Sequence, residues 1–165
     1  MREVIKFDTG NLRFAFRVVG VAIDDDRVLL EKVDGQDFWF LPGGRGELLE
    51  MSKETLKREM LEELNTKVKV GRLAWVVENF FTTYDVRARA EMSYHELGFY
   101  FLMELPKNSP LRKLDDFPGE DDGYKLTWKW HSVDNLANLQ LHPAFLRKGL
   151  RHIPDSTEHI VQRDK

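Results

Sequence analysis

The sequence contains no cysteine. Disulfides, thiolate metal sites and a cysteine nucleophile are therefore excluded. No stretch approaches the roughly 20 consecutive apolar residues of a membrane span. The N-terminal segment MREVIKFDTGN has no apolar core of the kind a secretory signal carries. An excess of positive charge is also missing: 25 basic against 28 acidic residues give a net charge of −3. Proteins that grip duplex DNA or an anionic membrane surface carry a clear basic excess, so neither partner is expected, although a local basic patch could hold a phosphate. The expected compartment is the cytoplasm. No internal repeat or low-complexity linker interrupts the chain. Its 165 residues, 42% hydrophobic and 32% charged, suit one globular domain with a sizeable core.

What is present alternates between strand-like and helix-like runs. LRFAFRVVGVAID (12–24) is rich in β-branched and aromatic residues, as strands are. Asp24, Asp25 and Asp26 read as a turn, and the apolar run 27–33 completes a hairpin. FWFLP (38–42) reads as a short buried strand, followed by a glycine-rich turn. Further strand-like runs cover 72–83, 94–105 and 124–131, with a long polar loop at 107–123. Residues 52–64 form the clearest helix: Ser52 is placed to cap it, and Leu56, Met60 and Leu64 repeat every fourth position. Asn65 follows, where a left-handed residue commonly ends a helix. Ser132 starts a second helical stretch, and 142–151 reads as an amphipathic helix. The tail after Pro154 needs something to dock it. Helices scattered among strands predict an α/β fold, a mixed sheet covered by helices on its faces.

The helix at 52–64 carries Glu59, Glu62 and Glu63, three and four residues apart. Like charges at those spacings cost a few tenths of a kcal/mol per pair, and Arg58 alone does not neutralise them. A hard divalent cation would offset that cost, since Mg²⁺ binds through carboxylates and substrate phosphates. The preceding GGRGE adds backbone carbonyls for a metal or amides for a phosphate. In isolation such a cluster is more often a solvated helix face. The surrounding spacing changes that weighing: Gly44, five residues, Glu50, seven residues, then Arg58, Glu59, Met60, Leu61, Glu62 and Glu63.

This pattern resembles the signature of the Nudix (MutT-like) hydrolases, G-x5-E-x7-R-E-U-x-E-E-x-G-U, with seven of nine fixed positions matched. Asn65 and Thr66 replace the final glycine and aliphatic residue, and neither change removes a ligand. The resemblance implies an α/β/α sandwich with the box as loop, helix and loop. It also implies hydrolysis of a diphosphate linkage in a nucleoside diphosphate derivative, with a small nucleotide as substrate. By position, Glu59, Glu62 and Glu63 would bind Mg²⁺ or Mn²⁺ with the carbonyl of Gly44. Arg58 and Glu50 would form a supporting ion pair. Homodimers are common in the family. A pyrophosphohydrolase of (d)NTPs or oxidised nucleotides stands slightly ahead of nucleotide-sugar, ADP-ribose or dinucleoside-polyphosphate hydrolysis. A nucleotide-sensing module without turnover is the alternative, although such a module would be expected to lose box glutamates.

Outside the box, Glu96 is a lone acidic residue in a strand and a candidate general base; strand alternation turns His95 to the opposite side. Glu120, Asp121 and Asp122 lie in the long loop, where Glu120 is a second candidate base. Glu47 is near enough to support the metal shell. Phe80, Phe81 and Tyr84 are candidates for stacking on substrate, and Arg13, Arg17 and Arg45 for phosphate contact. Each of these also has a plain structural reading, as core aromatic, solvated loop or surface arginine. The proline beyond the box and the SQPWPFPxS motif that mark two branches of the family are both absent.

Overall fold

The structure, a computed structural model, describes residues 2–164. Strand β1 (Lys6–Thr9) pairs antiparallel with β2 (Leu12–Val21), and β5 (Gly43–Arg45) pairs with the next stretch of the same β2 edge. On its other side β2 runs parallel to β7 (Ala90–Glu104), which pairs antiparallel with β6 (Lys69–Asp85). The tail strand β10 (Glu158–Arg163) docks parallel on β6. A second sheet runs β3 (Ile23–Asp24), β4 (Arg27–Val33), β9 (Tyr124–Ser132), β8 (Asp116–Asp121). Helix α1 (Ser52–Leu64) and the single turn α2 (Leu146–Gly149) complete the fold, with 3-10 turns at Pro110–Lys113 and Val133–Asn138.

The alternation of side chains along each strand separates two cores. Val18 and Leu29 join Leu56 and Met60 of α1, together with Trp128 and Trp130. Val19, Val28 and Leu30 face the other way, onto Leu136, Leu141 and Leu146. Helical cover on both faces of mixed sheets is the α/β/α sandwich that the pattern of elements predicts. Leu56 and Met60 are fully buried, so truncating either costs about 2–5 kcal/mol. Among the described residues no helix is long and apolar enough to cross a membrane.

Several local expectations are corrected. The run 12–24 is not one strand: it leaves the first sheet at Ala22, so the hairpin is only β3 with β4. Its turn is tight because Asp25 and Asp26 both have positive φ, the geometry of a type I′ turn. Residues 38–42 form isolated bridges, not a strand. The glycines after them are strand β5, not a turn. The polar loop hides β8, which joins β9 through Asp122 and Gly123, both at positive φ. The helix read at 142–151 shrinks to the four residues of α2. Ser52 does not cap α1: Met51 occupies the N-cap without a side-chain bond. Asn65 ends that helix in the left-handed region, with φ 48°.

Candidate active site

The box helix is held against β5 by close approach. A Cβ on Gly44 would overlap the Glu59 carboxyl, and one on Gly43 would overlap the backbone of Val18. Here glycine is needed for clearance, not for a turn. Arg58 then ties the loop to the helix. Its Nε and one terminal nitrogen donate to Glu50 at 2.8 and 3.1 Å, the other to Glu59 at 2.7 Å, and it reaches the carbonyl of Arg45 at 3.2 Å. Glu50 also accepts the Thr55 hydroxyl at 2.7 Å and the Glu47 amide. These donors, Arg58 first, hold the Glu50 carboxyl down to about 2. Through the Thr55 hydroxyl this carboxylate ties the first turn of α1 to the preceding loop.

The three box glutamates fan out rather than sharing one open face. Glu59 is turned onto Arg58. Glu62 is met by Arg2 of the N-terminal segment, which also approaches Glu47 at 3.7 Å. Glu63 points inward, and its Oε2 is buried without a hydrogen-bond partner. Burial, then the charges of Glu31, Asp121 and Glu59, raise the proton affinity of Glu63. Burial likewise raises Glu59, with Arg58 opposing.

Glu31 was not legible as a site residue in the sequence. It stands on β4, its Oε2 buried and unpartnered, with Arg17 of β2 at 3.9 Å. Burial pushes its carboxyl up against the pull of Arg17, and Asp121 and Glu59 add to the push. Its signal was faint: a single acidic residue inside RVLLEKV, where strand alternation would put every second residue on one face.

Arg17 and Arg45 are cross-strand partners on β2 and β5. Burial works against the charge on Arg17, but Glu96, Glu31 and Glu63 outweigh it. Arg45 is pushed down, by burial and then by Arg17. Two adjacent cations of this kind want an anion. Both line a cavity of about 440 Å³, together with Asn79, Tyr84 and Glu96. Its aromatic members include Phe38, Phe40, Phe81, Tyr94 and His142.

The remaining candidates divide. Glu96 lines the cavity and His95 lies on the opposite face, stacked on Phe80 at 4.5 Å. Phe80 therefore does not line the cavity; Arg163 covers its other side at 4.2 Å. Glu120 is exposed on β8, whereas its neighbour Asp121 acts on Glu31 and Glu63. Arg13, read as a phosphate candidate, is consumed: Asp8, Asp85 and the Tyr94 hydroxyl take its donors.

Among the described residues no three acidic or histidine groups converge tightly enough to hold a metal as they stand. The donor chemistry nevertheless suits a hard divalent cation. All the groups are carboxylate oxygens, and two of them, Glu31 Oε2 and Glu63 Oε2, are buried without a hydrogen-bond partner.

A family model described as the NUDIX domain matches residues 13–153. A search of curated proteins finds no match. Among solved structures, an ADP-ribose pyrophosphatase from Streptococcus suis 89-1591 is similar with a TM-score of 0.56 at 15% identity, over 90% of this chain and 98% of that one. A NUDIX hydrolase from Nitrosomonas europaea gives 0.58 at 16% identity, over 91% and 79%. A MutT protein from Bacillus halodurans gives 0.51 at 24%, over 88% and 89%. At these identities the solved structures speak for the fold, and the family model speaks for membership. The matched segment holds the whole box, Glu31, both cavity arginines and the paired strands beneath them. The chain belongs to the NUDIX family and is a hydrolase of nucleoside diphosphate derivatives.

Proposed function

We propose that the chain hydrolyses the diphosphate linkage of a nucleotide held with its organic part in the aromatic cavity and its phosphates between Arg17, Arg45 and the box. The observation that carries this reading is the continuity of the two features. Arg17 lines the cavity on one side and meets the box-facing carboxylate Glu31 on the other. Guanidinium groups match phosphate oxygens with paired donors.

Glu59, Glu62 and Glu63, with the carbonyl of Gly44, would hold Mg²⁺ or Mn²⁺. When bound, such a cation neutralises phosphate charge and makes water more acidic. The chain's own groups do the rest. Arg58, fixed by Glu50, sets the direction of Glu59. Glu63 has one oxygen buried without a partner, which would be free to take the proton of the attacking water while the other faces the cation. The aromatic walls exclude water and orient the organic group.

The printed names of the similar structures include an ADP-ribose pyrophosphatase and a UDP-X diphosphatase. They share a nucleoside diphosphate joined to a second group, which favours that substrate class here. The test is product release from a panel of nucleoside triphosphates, oxidised dGTP, ADP-ribose, nucleotide sugars and dinucleoside polyphosphates with Mg²⁺. Turnover of at least one, lost in Glu62→Gln and Glu63→Gln, is expected. No turnover across the panel would refute the proposal.

A further inference from the structure

The cavity presents two oxygen acceptors side by side. Asn79 on β6 and Glu96 on β7 are direct cross-strand partners, and both line the cavity. Asn79 is 7% exposed, and its Oδ1 is buried without a hydrogen-bond partner. The neighbour fixes the orientation of the amide. The amide lies beside the Glu96 carboxyl, and turning Nδ2 toward that group avoids setting oxygen against oxygen. A buried acceptor left without a donor carries a desolvation cost, which a ligand N–H would remove.

The walls are aromatic. Phe38 meets the ring of His142 edge to face at 5.6 Å, Phe40 lies tilted to it at 6.2 Å, and Phe81 stacks on Tyr94 at 4.7 Å with 7° between the planes. Such walls suit a planar ring better than a puckered sugar.

We propose that Asn79 and Glu96 select a guanine-type base, Asn79 Oδ1 accepting from its exocyclic amino group and Glu96 from its ring N–H. This rests on the nucleotide-hydrolase reading above and names the base that the same cavity takes. Among the common bases only guanine offers two adjacent donors on one edge. Adenine and cytosine set an acceptor beside their amino group, and that lone pair would meet a carboxylate or amide oxygen. Uracil and thymine place their one donor between two acceptors. Arg17 lies on the same face, opposite Gly98, one alternate position along β7 from Glu96, so the base on this pair leaves its phosphates pointing to the arginines.

Calorimetric titration of the full chain with guanosine, inosine and adenosine monophosphates, without metal, reads the pocket apart from the chemistry. Inosine lacks only the amino group. The guanosine form should bind about tenfold more tightly than the inosine form, with the adenosine form weaker again. In Asn79→Leu the guanosine-to-inosine gap should collapse to about twofold or less. Equal affinities in the natural chain, or no binding of the guanosine form, would overturn the proposal. So would a tenfold gap that survives in a folded Asn79→Leu. The natural chain decides alone if that variant fails to fold. Base selectivity with no hydrolysis on the nucleotide panel would count against the hydrolase reading and leave this one standing.

Discussion

Arg13 and Arg17 stand on the same strand and the same face of the sheet, yet they have opposite fates. Arg13 is 6% exposed and donates to Asp8 at 2.7 and 2.8 Å, to Tyr94 at 3.0 Å and to Asp85. Its donors are spent, and it clamps β1, β2 and the end of β6. Arg17 is 28% exposed, and its contact to Glu31 is a loose 3.9 Å. It stands beside another arginine at the edge of a cavity and beside carboxylates that lack partners. The difference teaches how to tell a structural charge from a working one. A structural charge has its hydrogen bonds complete within the chain, and a working one keeps donors in reserve for an anion.

The contrast can be broken at several points. The largest effect belongs to Glu63. Glu63→Gln should lower turnover by at least about 10²-fold while leaving the melting temperature nearly unchanged, because Glu63 Oε2 has no hydrogen-bond partner to lose. A matching fall in stability would show that Glu63 is structural after all. Next comes Arg13→Gln, which strands Asp85 and should cost about 3 kcal/mol, a fall of roughly 5–10 °C in Tm. Arg17→Gln should do the reverse, lowering kcat/KM by about tenfold or more at nearly constant Tm. Parallel kinetics and thermal melts of the two variants would settle whether the two arginines differ as described. Gly44→Ala should cost about 1–3 kcal/mol and lower activity as well, because the added methyl displaces Glu59.

The smallest effect is a pH dependence. Glu50 is held down to about 2 in the folded chain, against an ordinary value of 4.5. A depressed carboxyl stabilises the fold above its unfolded value and loses that contribution as pH falls through the folded one. Melting followed from pH 5 to pH 2 should therefore show a decline that is shallower in Glu50→Gln. Identical slopes would mean that the Arg58 contacts do not persist in solution.

Much of this was legible in the sequence, because the box is local. The ion pair of Glu50 with Arg58 and the left-handed Asn65 both lie within one short segment, where spacing translates directly into geometry; the glycines of that segment read as a turn, and only the structure shows their role as clearance. The ends of α1 follow from the same periodicity. What escaped was non-local. Glu31 becomes a site residue only because the fold brings β4 within electrostatic reach of Glu59 and Glu63, and no spacing within RVLLEKV announces that. The pairing of Asn79 with Glu96 depends on the register of β6 on β7, and register is set by the whole sheet. Phe80 and Phe81 show the limit most simply. Adjacent strand residues point to opposite faces, and the sequence does not say which face holds the cavity. Strand β8 was hidden in a polar loop, although the Asp122–Gly123 pair is a hairpin signal.

If the box carboxylates hold a divalent cation, Mn²⁺ binding followed by electron paramagnetic resonance shows it most directly. The natural chain should bind the ion, with affinity falling at least about tenfold in Glu62→Gln and in Glu63→Gln. Equal affinity in all three chains would contradict the account and leave the acidic helix as a solvated face.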